Sequence, residues 1–203
     1  MKRRPFLQTL WGAGLASTFA SAQSATEKAP EKKLGWALVG LGSLSTNQIA
    51  PALLKTRNAK LTGLVSGSPD KTEKWGKQYG IDAAHIYSYE RFDEIIKDPA
   101  IDVVYIVLPN SMHKEYVIRA AKAGKHVFCE KPMANDAAEC REMIAACKEA
   151  GKLLGIGYRC QFVPHHVEAV RLAKEKVFGE VKHIQANFGF QSGDPKQWRL
   201  RKA

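Results

Sequence analysis

Two clusters in this 203-residue chain combine residue types and spacing that can do chemistry. The first is Glu130-Lys131-Pro132, which ends the apolar run His126-Val127-Phe128-Cys129. Proline has no backbone donor to continue a ladder, so the run reads as a strand that stops at an acid and a base. Open α/β sheets take ligands beyond the carboxyl ends of their strands, and this strand would deliver Glu130 and Lys131 into such a crevice. An ammonium placed there lowers the cost of negative charge building on a reacting oxygen, which makes Lys131 the candidate catalytic residue. The alternative is a solvated acid-base pair closing a strand before a turn.

The second cluster is Gly40-Leu41-Gly42-Ser43-Leu44-Ser45, which follows the apolar run Gly35 to Val39 and opens a helical pattern. In that setting Gly40 permits a tight turn, and Gly42 lets backbone N–H groups approach a pyrophosphate at the positive end of a helix. Ser45 stands where the usual fingerprint has a third glycine. The choice of nucleotide is read at the end of the second strand, Val65-Ser66-Gly67-Ser68-Pro69-Asp70-Lys71. Ser66 and Ser68 can donate to a 2′-phosphate without repelling it, and Lys71 can pair with it. NADP is therefore favoured, with NAD as the alternative through Asp70 on the ribose 2′-hydroxyl.

These residues need a scaffold that alternates strands with helices, and the sequence supplies one. Apolar runs at Gly35 to Val39, Lys60 to Val65, Ile86 to Tyr89, Ile101 to Leu108, His126 to Cys129 and Leu153 to Gly157 are separated by helical patterns. The helices are expected over about Ser45 to Lys55, Lys71 to Tyr79, Arg91 to Lys97, Asn110 to Gly124 and Asp136 to Gly151. Ile101 to Leu108 is apolar on both faces over most of its length, as a central parallel strand covered by helices on both sides must be. Asn110 is expected to cap the fourth helix, Asn135 or Asp136 the fifth, and Cys140, Met143, Ile144 and Cys147 to form one buried face. The fold class is α/β, a Rossmann-type doubly wound parallel sheet over residues 34–157. After a helix from about Pro164 to Phe178, Val181 to Phe190 alternates like a strand with one wet face. One such strand cannot bury its apolar face alone, so residues 158–203 read as the incomplete start of an α+β antiparallel-sheet domain.

The first 22 residues read as an address. Lys2-Arg3-Arg4 precedes a mildly apolar run from Leu7 to Ala20 that is too short to span a bilayer, and Ala20-Ser21-Ala22 offers a cleavage site. This order is that of a twin-arginine signal, so the mature chain is expected to be periplasmic or otherwise exported, with no membrane anchor. Residues 23–33 form an Ala-, Glu-, Lys- and Pro-rich arm. At 45% hydrophobic and 25% charged, the chain is ordinary globular material. The net charge of +11 is dispersed among acids and accompanies no nucleic-acid motif, so no nucleic-acid partner is expected. The four cysteines show neither metal-ligand nor CxxC spacing: Cys140 and Cys147 share an apolar helical face, Cys129 ends a buried-type strand, Cys160 stands alone, and no metal is expected.

Taken together, Gly40-Leu41-Gly42, Leu108-Pro109-Asn110-Ser111-Met112-His113, Ala123-Gly124-Lys125-His126-Val127, Cys129-Glu130-Lys131-Pro132-Met133 and Gly157-Tyr158-Arg159 resemble the Gfo/Idh/MocA oxidoreductase family. Gln197-Trp198-Arg199-Leu200-Arg201 extends the likeness toward the last residue. The resemblance implies hydride transfer between NADP and a small sugar or polyol, by a protein that is homo-oligomeric when complete. It implies that Gly40 and Gly42 bind the pyrophosphate and that Ser66 and Lys71 bind the adenosine phosphate. Pro109 and Asn110 would line the nicotinamide side, Glu130 would hold the nicotinamide ribose, and Lys131 would reach the substrate hydroxyl. Tyr158, Arg159, Trp198 and Arg199 would close over the nicotinamide end, while His113 is expected at the surface in the first turn of its helix. The family places its principal acid/base residue further along the second domain than these residues reach. The competing expectations are a noncatalytic nucleotide-binding or sensing protein of the same fold, and an inactive fragment.

Overall fold

Six apolar runs become strands, and every pairing between them is parallel. The computed structural model describes residues 32–187 and 189. Within them β1 (Leu34–Val39), β2 (Ala59–Val65), β3 (Ile86–Tyr87), β4 (Val103–Ile106), β5 (His126–Cys129) and β6 (Leu154–Ile156) form one sheet in the order β3-β2-β1-β4-β5-β6. The chain runs outward from β1 to β3, crosses back to β4 and runs outward again to β6. This is the doubly wound Rossmann-type architecture that the alternating pattern predicts.

Burial on both faces explains why the strands are continuously apolar. Ala37 and Val39, Val104 and Ile106, and Val127 and Cys129 face Val117, Ala120 and Ala121 of α3 (His113–Lys122) and Met143 and Cys147 of α4 (Ala137–Glu149). Leu38 and Leu64 face the other way, toward Ile49, Leu53 of α1 (Ala50–Leu54) and Trp75 of α2 (Pro69–Tyr79). Each fully buried Leu, Val or Phe contributes about 1.5–3 kcal/mol relative to exposure. Of the two expected cap residues of α4, Asp136 is the cap, accepting the Glu139 N–H at 2.9 Å, and the Glu139 carboxylate in turn accepts the N–H of Asn135, one residue earlier, at 3.1 Å. Among the described residues no helix is long and apolar enough to cross a membrane.

Several local expectations are corrected. Asn110 caps no helix with its side chain; it starts a 3-10 turn, Asn110–Met112, through which the chain enters α3. Ile144 is 53% exposed because α4 presents only the narrow Met143–Cys147 stripe to the sheet. The helix after Arg91 is a 3-10 segment, Phe92–Lys97, and the first helix begins as a π-helical turn, Ser45–Ile49. The antiparallel strand expected from Val181 does not form over 181–187. No described segment lies alongside to complete its hydrogen bonds, and Ile184 is 79% exposed. The last helix, α5, spans Pro164–Lys174 and buries no residue.

The amino-terminal end of the sheet is tied by Asp98. Its Oδ2 accepts from the Tyr87 hydroxyl at 2.8 Å and lies 2.7 Å from His85 Nδ1, its Oδ1 accepts the Ala100 N–H at 2.9 Å, and its carbonyl accepts from Lys125 Nζ at 2.7 Å. Of these groups His85, Tyr87 and Asp98 line a cleft of about 320 Å³, together with Arg91, Glu94 and Lys97. Burial alone would raise the Asp98 carboxyl, but the hydrogen bonds from Tyr87, His85 and Ala100 outweigh it and hold the group below its ordinary value. A carboxyl lowered on folding contributes stability above its unfolded value of about 4 and loses it as pH falls through the folded value. Denaturant titrations from pH 7 down to pH 2 should therefore show a fall in stability below about pH 4 that is shallower in Asp98→Asn, itself less stable at neutral pH.

Candidate active site

The candidate residues converge because parallel strands end together. Gly40 N–H donates to Val65 O at 2.9 Å, Val107 N–H to Val39 O at 2.9 Å, Glu130 N–H to Ile106 O at 3.0 Å and Gly157 N–H to Cys129 O at 2.8 Å. The loops after β2, β1, β4, β5 and β6 thus stand in a row on one edge, with the β1/β4 switch point among them.

Gly40 meets two demands that only glycine satisfies. Its φ is 91°, and a Cβ there would sit 2.4 Å from Val107 O. A Cβ on Gly42 would meet no protein atom within 4 Å, so packing does not require glycine there. That open approach at the start of a helix suits a phosphate cradle. Ser45 is fully buried, and its hydroxyl donates to Gly40 O at 2.6 Å, so the serine in the third fingerprint position fastens the turn across its base. Lys71 reaches the same turn, Nζ to Leu41 O at 3.4 Å, and Ser66 is buried with its Oγ accepting the Ser68 N–H at 3.2 Å. The residues read as pyrophosphate and adenosine-phosphate contacts are therefore neighbours.

On the other side of the switch point, Pro109 and Asn110 follow β4, and Glu130 and Lys131 follow β5. His113 joins these loops. It is not the surface residue expected at a helix start: it is fully buried, with Nε2 2.9 Å from Leu108 O and Nδ1 2.9 Å from Pro132 O. The loop after β5 folds over the helix end and covers the ring. Glu130 Oε1 accepts from the Tyr105 hydroxyl at 2.7 Å, and Oε2 accepts the Lys131 N–H at 3.2 Å. Lys131 is exposed, and its ammonium makes no ion pair among the described residues. Burial first, and then the adjoining Glu130 charge, push the Cys129 thiol up to about 12, so Cys129 is an inert wall of the site.

Tyr158 and Arg159 lie just past β6, with Tyr158 46% exposed and its N–H on Ile156 O at 2.7 Å. No side-chain hydrogen bond joins either to Lys131 or Glu130 among the described residues. Trp198 and Arg199, together with the leader 1–22, lie outside the described residues. Tyr105 escaped the sequence reading because it sits in an otherwise aliphatic run; the signal was its phenol in register with Phe128, two residues before Glu130 on the same face. Among the described residues no group of three or more His, Cys, Asp or Glu could hold a metal.

A glycine turn at the first strand, a helix start behind it and an acid-lysine pair across the switch point define a dinucleotide-binding domain of the nicotinamide oxidoreductase class. Residues 34–158 match the family model described as an oxidoreductase family with an NAD-binding Rossmann fold, and the chain belongs to this Gfo/Idh/MocA family. It is 50% identical to the crystal structure of aldose-aldose oxidoreductase from Caulobacter crescentus in complex with glycerol, with a TM-score of 0.81 over 83% of this chain and 50% of that one. It is 32% identical over 178 residues to D-xylose 1-dehydrogenase [NADP(+)] of Haloarcula marismortui, covering 86% of this chain and 49% of that protein. A 3-ketoreductase from Actinomadura kijaniata, in complex with TDP-benzene and NADP, superposes with a TM-score of 0.65 at 26% identity, covering 73% of this chain and 46% of that one. The chain spans about half the length of the curated relatives it matches.

The two glycines of the turn should separate in their effect on folding. Gly40→Ala should cost at least about 1–2 kcal/mol for the left-handed backbone alone, with the collision against Val107 added. Gly42→Ala should leave stability within about 0.5 kcal/mol of the parent, read from chemical denaturation at constant m-value.

Proposed function

We propose that the complete protein is an exported, NADP-dependent oxidoreductase that moves hydride between the nicotinamide and a C–OH group of a sugar or polyol, in the manner of glucose-fructose oxidoreductase. The observation that carries this reading is the row of loops in which Gly40, Gly42, Ser66 and Lys71 lie on one side of the β1/β4 switch point and Glu130 and Lys131 on the other. The names of the relatives support the substrate class, since they act on aldoses and D-xylose.

Each residue has a task set by its chemistry. The turn at Gly40 and Gly42 receives the pyrophosphate, and Ser66 and Lys71 receive the 2′-phosphate. Glu130 accepts hydrogen bonds from the nicotinamide ribose, while Pro109 and Asn110 bound the nicotinamide side. Tyr158, Trp198 and Arg199 close that end. When bound, the nicotinamide supplies the hydride acceptor or donor. The Lys131 ammonium approaches the substrate hydroxyl and stabilises negative charge on its oxygen as the C–H bond breaks. The proton is exchanged with an acid/base group of the second domain. The twin-arginine leader would carry the protein out of the cytoplasm already folded, and the complete protein would assemble from copies of itself.

The first experiment is to purify the exported protein, denature it, and identify the released nucleotide by chromatography against NAD and NADP. Stoichiometric NADP is the expected result; NAD in its place, or a protein that neither retains nor binds either nucleotide, overturns this reading. Lys131→Ala in the complete protein should abolish turnover and leave nucleotide binding intact, whereas Lys71→Ala should weaken NADP about ten- to a hundredfold and NAD little.

A further inference from the structure

Glu130 is held by a hydroxyl from the sheet, that of Tyr105 in β4, as well as by groups of the loops after β5 and β6. We propose that Tyr105 is the positioning residue of Glu130, fixing one orientation of its carboxylate so that a vicinal diol of the nucleotide can bridge both oxygens. The inference rests on the ribose role given to Glu130 above and adds the residue that prepares it.

Tyr105 is 9% exposed, and its ring has little room to swing. It stands edge-on to Phe128 at 4.9 Å and 86° and to Trp36 at 5.9 Å and 75°, an aromatic corner built from three adjacent strands. Burial, followed by the hydrogen bond to Glu130 and its charge, pushes the phenol well above its ordinary value, so the hydroxyl keeps its proton and acts as a donor. The Lys131 N–H donates to the second oxygen at 3.2 Å. Gly157, just past β6, closes the third direction: a Cβ there would stand 2.8 Å from Oε1 and 3.2 Å from Cδ, so a side chain at residue 157 would displace the carboxylate from this orientation. Each carboxylate oxygen thus has one protein donor. A carboxylate offers about four lone-pair sites, so roughly one remains on each oxygen, matching the two hydroxyls of a diol.

The test uses the complete protein and NADPH as the probe, with dissociation constants from nucleotide fluorescence and a thermal midpoint for every variant. Tyr105→Phe, which removes one oxygen and keeps the ring, should weaken NADPH about ten- to a hundredfold, and Gly157→Ala should do the same with Tyr105 in place. In a Glu130→Ala background, Tyr105→Phe should cause no further loss. The proposal is overturned if Tyr105→Phe weakens binding equally in both backgrounds, or if it leaves binding unchanged while Glu130→Ala weakens it. An unaltered NADPH constant in Glu130→Ala would instead remove the ribose role of Glu130, and with it the need for a positioning residue. A parent protein that binds no NADPH would remove the proposed function itself.

Discussion

Parallel pairing of β1 with β4 is the constraint on which the site depends. Because β1 lies between β2 and β4, the chain leaves its carboxyl end toward one edge of the sheet and returns on the far side of the switch. Two sets of loops with no proximity in sequence are thereby brought face to face. The close approach of Gly40 to Val107 is the point where the halves touch. A side chain at residue 40 would push the turn away from the β4 loop and separate the phosphate end of the crevice from the acid-lysine end.

The two ends of the sheet treat a carboxylate in contrasting ways. Asp98 and Glu130 each receive a tyrosine hydroxyl from a strand, Tyr87 and Tyr105 respectively. Asp98 is almost wholly buried, and both its oxygens are occupied by His85, Tyr87 and Ala100. It has nothing left to offer a ligand and serves to tie β3, the approach to β4 and the start of β5. Glu130 sits at the open edge with spare acceptor capacity. A carboxylate paired with a tyrosine makes a structural knot at one end and a receptive group at the other, and the difference is solvent access.

The parts of the fold legible in the sequence were those set by local periodicity. Runs apolar on both faces marked the buried parallel strands, and the glycine turn was readable because its position after the first strand gave it meaning. The acid-lysine-proline stop likewise marked a strand end. What escaped depended on neighbours distant in sequence. His113 looked like an exposed first-turn residue because nothing local reveals that the loop after β5 covers it. Tyr105 was hidden among Val103, Val104 and Ile106, since its partner is 25 residues away. Ile144 matched the helical period, yet the stripe that α4 presents to the sheet is narrower than the period allows. The alternation after Val181 is a strand pattern without a described strand beside it, and pattern alone does not make a ladder.

The helix α5 follows this principle from the opposite direction. It is helical over 11 residues without burying any of them, with Val167 and Val170 about half exposed. Pro164 at its start and the Arg171 pairs with Glu168 and Glu175 hold it through local terms alone. Such pairs contribute only about 0.2–0.5 kcal/mol each, and a helix this short is marginal in water without tertiary support. Its amides should therefore exchange with deuterium through local fraying in the described unit, while those of α3 and the central strands exchange only through opening of the sheet.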